Sequence, residues 1–144
     1  MKKLFYGILA ILPLVSTGAA HADFFLDRVV NDLPEKARME RIGIGSYSFS
    51  NQANAASYRD SLFMISRVKN EAYRRYVDGR ISSYRFSDTM NELETLSYSL
   101  DNYYANLSSF ERTGSAFYKN LAMSDLTGAR SSYARLKAIT LKRQ

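Results

Sequence analysis

Acid–base, nucleophilic and metal chemistry each need particular side chains, and this chain supplies few of them. It contains no cysteine, no tryptophan and a single histidine, His21. His21 stands within a run that reads as a cleavable export signal, so the processed chain is expected to hold no imidazole. That removes the base of a Ser–His or Cys–His nucleophile, the usual ligands of zinc and the usual axial ligand of haem. No cofactor and no metal are expected. Carboxylates are what remains. Glu40, just ahead of Gly43 and Gly45, is the best-placed candidate, with Asp60 as its second. Two carboxylates suffice for glycoside hydrolysis. No lysozyme or transglycosylase motif surrounds Glu40, however, and both residues read more simply as solvated helix-face charges. No catalytic residue is assigned.

Tyrosine and arginine carry the more telling chemistry. The chain has 11 tyrosines, and ten remain once Tyr6 leaves with the signal. Several adjoin arginine, as in Tyr58-Arg59, Tyr73-Arg74-Arg75-Tyr76 and Tyr84-Arg85, with Tyr133 close to Arg135. Both residue types join apolar area to directional hydrogen bonding, the makeup of interface hot spots. Helical phase assigns Tyr58, Tyr76, Tyr104 and Tyr133 to the edge of a core. It leaves Tyr73, Tyr84, Tyr98, Tyr103 and Tyr118 available to face a partner. The expected contact region is the turn carrying Tyr73, Arg74, Arg75, Arg80, Tyr84 and Arg85, together with Phe24 and Phe25 near the processed N-terminus. An acidic protein patch, an anionic lipid head or a cell-wall carboxylate would each suit it.

The export signal has three parts. Lys2 and Lys3 give the positive start, Leu4 to Val15 is apolar apart from Tyr6, and Ser16 to Ala20 are small or polar. Ala20-His21-Ala22 fits the small-x-small rule of signal peptidase, which makes Asp23 the new N-terminus. As a helix the apolar run would reach about 18 Å, short of the roughly 30 Å hydrocarbon core, so cleavage is favoured over anchoring. No cysteine follows to take a lipid. These features point to a periplasmic protein, with secretion or outer-membrane association as the alternative. Residues 1–22 are the signal and residues 23–144 a single helical domain. Losing Lys2 and Lys3 lowers the net charge from +6 to +4. That is too mild and too mixed to argue for nucleic acid.

The elements that must position these residues are helices. Pro34 is the only proline after the signal, and apolar spacing follows the helical period almost throughout. Residues 23–31 form a short amphipathic piece. Asp32-Leu33-Pro34-Glu35 begins a second, with an Asp cap, an early proline and a glutamate at the N-terminal dipole. This broken segment ends at Gly43 and Gly45. Residues 46–52, with Tyr47 and Phe49 among serines, read as an ordered loop that packs its aromatics on the bundle.

The first main helix is expected over Ala55–Val77, capped by Asn54, with Tyr58, Leu62, Ile65, Lys69, Ala72 and Tyr76 on one face. Asp78-Gly79 ends it, Gly79 suiting a left-handed C-cap. The next starts near Ser82 or Ser83 and carries a strict four–three seam of Phe86, Met90, Leu93, Ser97, Leu100, Tyr104 and Leu107. A further helix is expected over about Ser109–Met123, with Phe110, Phe117 and Leu121 on one side and Gly114 in its middle. Ser124-Asp125 would cap the last, whose face is Leu126, Ala129, Tyr133, Leu136 and Thr140. The fold class is therefore all-α, an antiparallel bundle of about four main helices plus a short broken N-terminal helical segment.

Two local motifs fail on their spacing. Asp78-Gly79-Arg80-Ile81 is similar to the centre of an EF-hand loop, but the ligand positions would fall on Arg74 and Arg85, where calcium needs oxygens. Ser124 to Leu136 resembles half of a tetratricopeptide repeat, yet no second copy occurs at the required spacing. The architecture resembles small periplasmic four-helix proteins in general. Charge is uneven: the stretch 82–107 is net −3, while 55–78 is +2 and 124–144 is +4, so the acidic helix is expected to pack beside the two basic ones. The reading is an exported, non-enzymatic bundle that acts by binding another envelope or exported protein, as an adaptor, inhibitor, immunity or chaperone-like factor. The alternatives are peripheral binding to anionic lipid or cell wall through the basic helices, and a carboxylate-only wall hydrolase.

Overall fold

The computed structural model of the chain describes Met39 and residues 41–141. Among these are three long helices and no strand: α1, Gln52–Val77; α2, Ser83–Thr113; α3, Ala116–Leu141. The all-α class holds. The expected cleavage residues Ala20, Ala22 and Asp23, the contact residues Phe24 and Phe25, and Glu40 lie outside the described residues.

Each helix boundary has a local cause. Asn51, not Asn54, caps α1: its backbone is extended and its side chain accepts from the N–H groups of Ala53 and Asn54. At the other end Gly79 takes φ 69°. There the Gly79 N–H donates to Tyr76 O and the Arg80 N–H to Arg75 O, at 3.0 and 2.8 Å. These are the two bonds of a Schellman motif. Ser82 caps α2 by accepting from the Arg85 N–H.

The next two expected boundaries are corrected. Nothing between Leu107 and Ser109 interrupts the helix, and α2 continues to Thr113. The break falls at Gly114, which sits at φ 69° and donates to Phe110 O. Gly114 is thus a C-cap and not a mid-helix residue. Ser124-Asp125 starts no helix either; α3 runs straight through it. The Asp125 carboxylate instead accepts from Asn106 Nδ2 of α2 at 2.8 Å. Three main helices, not four, occupy the described residues.

α2 is the central element, with α1 and α3 each antiparallel to it. Its whole expected seam, from Phe86 to Leu107, is buried. Leu93 and Leu100 at its centre each contribute about 1.5–3 kcal/mol by leaving water. On the α1 side, Tyr76 stacks on Phe86 with ring centroids 4.5 Å apart near the turn. On the α3 side, Glu92 pairs with Arg135 at 2.9 Å. The acidic helix therefore does pack beside both basic ones.

The buried face of α1 is turned from the expected row. Ser61, Met64, Ile65, Val68, Ala72 and Tyr76 are inside, while Tyr58, Leu62 and Lys69 are half-buried. The irregular segment 42–50 lies along this flank, which explains the rotation. It buries Ile42 and packs Ile44, Tyr47 and Phe49 against the core, in accord with the aromatic loop expected there. Lys69 Nζ donates to Ile42 O at 3.5 Å.

On α3, Leu126, Ala129 and Leu136 are buried as expected. Phe117 and Leu121 are exposed. Phe110 packs on the core from α2, so these three residues do not form one face.

Candidate functional site

Two surfaces of the bundle bring polar chemistry together. The first is the end formed by the C-terminus of α1, the turn 78–82, the N-terminus of α2 and the C-terminus of α3. Arg85 Nη2 donates to Ile139 O at 2.7 Å, which ties the start of α2 to the last turns of α3. A guanidinium there also favours the negative end of the α3 dipole. Arg85 therefore joins the arginine turn to the basic C-terminal helix, on which Lys137 stands two residues before Ile139.

Within that end the expected contact residues differ in what they touch. Glu71 is only 7% exposed and holds two arginines, Arg74 Nη2 and Arg75 Nε, each at 2.7 Å. A buried carboxylate is tolerable when cations and hydrogen bonds satisfy it, so Arg75 in particular is a structural ion-pair member. Tyr73 is packed partly against the core. Tyr84, in contrast, is 76% exposed and stands at the first turn of α2 as an open aromatic beside cations. Tyr103, expected to face outward, is 1% exposed. It lies one residue off the seam, on the side α3 covers, and burial raises its phenol to about 12 against the opposing effect of Arg130.

The second surface is a groove of about 510 Å³ along the middle of α2, walled on the other side by residues 41–43. Asn91, Glu94, Thr95, Ser97, Tyr98 and Asp101 come to it from successive turns of α2. Tyr98 is 68% exposed. Asp101 is held in place: its Oδ1 accepts from the Gly45 N–H at 2.7 Å and from the Tyr47 hydroxyl at 2.8 Å. Burial, followed by that bond and the aspartate charge, pushes Tyr47 up to about 12. Tyr58 completes the fixture by donating to Gly45 O at 2.6 Å and accepting from the Tyr47 N–H. A Cβ on Gly45 would stand 3.0 Å from Asp101 Oδ1, so glycine is needed for this close approach.

Ser97 is the unusual member. It is 3% exposed, and its Oγ is the buried side-chain polar atom without a hydrogen-bond partner among the described residues. Helical serines commonly bond back to the carbonyl four residues earlier, as Thr89 and Thr95 do here. Ser97 does not. Its hydroxyl stands at an apolar position of the seam, and that mismatch is the signal the sequence carries for the groove.

At the far end of α2, Glu111 reaches the start of α1. Its carboxylate accepts from Asn54 Nδ2 at 2.6 Å, from the Ser50 N–H at 2.8 Å and hydroxyl at 3.0 Å, and from the Asn51 N–H at 3.3 Å. Desolvation pushes this carboxyl up, but the bonds from Asn54, Ser50 and Asn51 outweigh it and hold it below its ordinary value. Asp60, the described member of the candidate carboxylate pair, is half-buried on α1 near enough to Tyr104 to help raise that phenol. Among the described residues no three potential ligands of the His, Cys, Asp or Glu type gather at a metal-binding spacing. No described helix is long and apolar enough to cross a membrane. No protein-family model, curated protein sequence or solved structure matches the chain, and the two surfaces are interpreted from their own geometry.

Proposed function

We propose that the chain is an exported, non-enzymatic periplasmic protein that captures an acidic partner protein through the basic end of its bundle. The Arg85–Ile139 bond carries this reading, because it joins the arginine turn to the basic C-terminal helix at the residue that follows the exposed Tyr84. A tyrosine among cations offers apolar area and directional hydrogen bonds to a partner whose carboxylates meet the arginines. The relevant side chains are Tyr84, Arg74 and Arg80, with Arg75 and Arg85 holding the surface in shape.

The test is site-specific crosslinking in intact cells from a photoreactive residue at position 84. The expected result is one acidic envelope protein in the adduct. Its purified form should bind the wild-type chain and lose about tenfold in affinity to Tyr84→Ala, with helicity unchanged. Arg80→Glu should weaken it further. Equal binding by wild type and Tyr84→Ala would overturn the proposal. Arg75→Glu is a poor probe, because it would set a second carboxylate against buried Glu71. The alternative occupant of this end is anionic lipid or cell wall. It is distinguished by salt-sensitive sedimentation with anionic vesicles or purified wall in the absence of any protein.

A further inference from the structure

We propose that the groove on α2 is a second binding site, for a glycan, independent of the basic end. The floor includes Ser97, whose buried hydroxyl has no hydrogen-bond partner among the described residues, so a donor and an acceptor lie unspent at the base of the groove. The wall is the Asp101 carboxylate. Both of its bonds fall on Oδ1, so its orientation is fixed before any ligand arrives while Oδ2 is not used by either. The rim is Tyr98, whose exposed ring presents a flat apolar face. Asn91 and Arg41 add planar donors at the two sides.

This combination matches a sugar better than a peptide. A pyranose presents hydroxyls that both donate and accept, together with an apolar C–H face. Here the Asp101 and Glu94 carboxylates, donating amide and guanidinium groups and a two-way hydroxyl line one groove beside an exposed aromatic ring. An extended peptide would need either an unpaired strand edge for its main chain or apolar pockets for its side chains. One wall is a helix whose backbone bonds are internal, and the lining has a single exposed aromatic. The volume of about 510 Å³ lies inside the usual range for small-ligand sites.

The purified protein can be titrated with a β-1,4-linked N-acetylglucosamine tetramer, a β-1,4-linked glucose tetramer and a lysine-rich octapeptide. Amide chemical shifts and intrinsic tyrosine fluorescence serve as readouts. The expected result is saturable binding of at least one tetrasaccharide, with shifts centred on Gly43, Ser97 and Tyr98. Preference between the two sugars separates an amino-sugar wall polymer from a neutral glucan. Tyr98→Ala and Ser97→Ala should each weaken binding by about fivefold or more. Ser97→Ala should also melt no lower than wild type, since it deletes a buried hydroxyl that has no partner among the described residues. Tyr84→Ala should leave glycan binding unchanged, which separates this site from the basic end. No saturation by either tetrasaccharide up to about 20 mM, saturation by the octapeptide alone, or unchanged binding in both groove variants would overturn the proposal.

Discussion

The hydroxyl pair between α1 and α2 offers a quantitative test of how this core is held. Tyr104 is fully buried; its hydroxyl donates to Ser57 O at 2.8 Å and lies 2.6 Å from Ser61 Oγ, also fully buried. Because the Tyr104 proton is committed to Ser57 O, Ser61 must be the donor in the second bond. Tyr104→Phe removes both bonds with little change in volume. At about 1 kcal/mol net per bond, the expected loss is about 2 kcal/mol, or about 8 °C in Tm at roughly 4 °C per kcal/mol for a domain of this size. Ser61→Ala removes only the shared bond and leaves Tyr104 satisfied by Ser57 O, so its expected loss is about 1 kcal/mol. The double variant also removes two bonds in total and should lose about 2 kcal/mol, not 3. The coupling of about 1 kcal/mol is the observable. Urea unfolding followed by far-UV circular dichroism on the four proteins measures it. Strict additivity, with coupling below about 0.3 kcal/mol, would refute the shared bond and with it the claim that the two hydroxyls act as a unit.

Three further outcomes are expected. Gly114→Ala should cost about 1–2 kcal/mol from the left-handed backbone alone, since nothing lies within 4 Å of an added Cβ; Gly114→Asn should recover part of it in the same denaturation assay. The lowered Glu111 carboxyl stabilises the fold above its unfolded value near 4.5 and loses that contribution as pH falls through the lower folded value; Glu111→Gln should therefore flatten the acid limb of a plot of Tm against pH. Tyr47 and Tyr103 are raised from 10.0 to about 12, so their contribution is intact below pH 10 and disappears as pH rises toward 12. Tyrosinate absorbance should then appear together with loss of helicity over that window, and Tyr47→Phe should reduce the loss.

Apolar periodicity located every seam residue of the α2 core, because a four–three seam over many turns leaves one choice of buried face, but it left the flanking Tyr103 outside. It was less successful on α1. There the buried face depends on which neighbour covers each flank, and the segment 42–50 took the side that Tyr58 and Lys69 were expected to share with the core. Capping residues misled at Ser124-Asp125, where a good N-cap pair bonds sideways to Asn106 instead. Gly114 showed the reverse: a glycine assigned to a helix interior is the left-handed stop. The basic end was legible as a list of arginines, but not as a surface, since the Arg85–Ile139 bond spans 54 residues. Of the groove, only the Ser97 hydroxyl at an apolar seam position was legible. Asp101 is positioned by Gly45 and Tyr47, and no local pattern announces a bond between residues so far apart.

The central place of α2 also bears on how the chain reaches this state. α1 and α2 are joined by five residues and α2 and α3 by two, so the helical contacts form between sequence neighbours. Closure is inexpensive in entropy, and collapse of the three rods is expected on the order of milliseconds or faster. The ties of Gly45 to Asp101 and of Ser50 to Glu111 span 56 and 61 residues, and they can close only on a finished hairpin. The strap they fasten is thus the last piece to lock and the first to release. In native-state hydrogen exchange the amides of Gly45 and Ser50 should open at lower free energy than those of Leu93 or Leu100, as a separate cooperative unit.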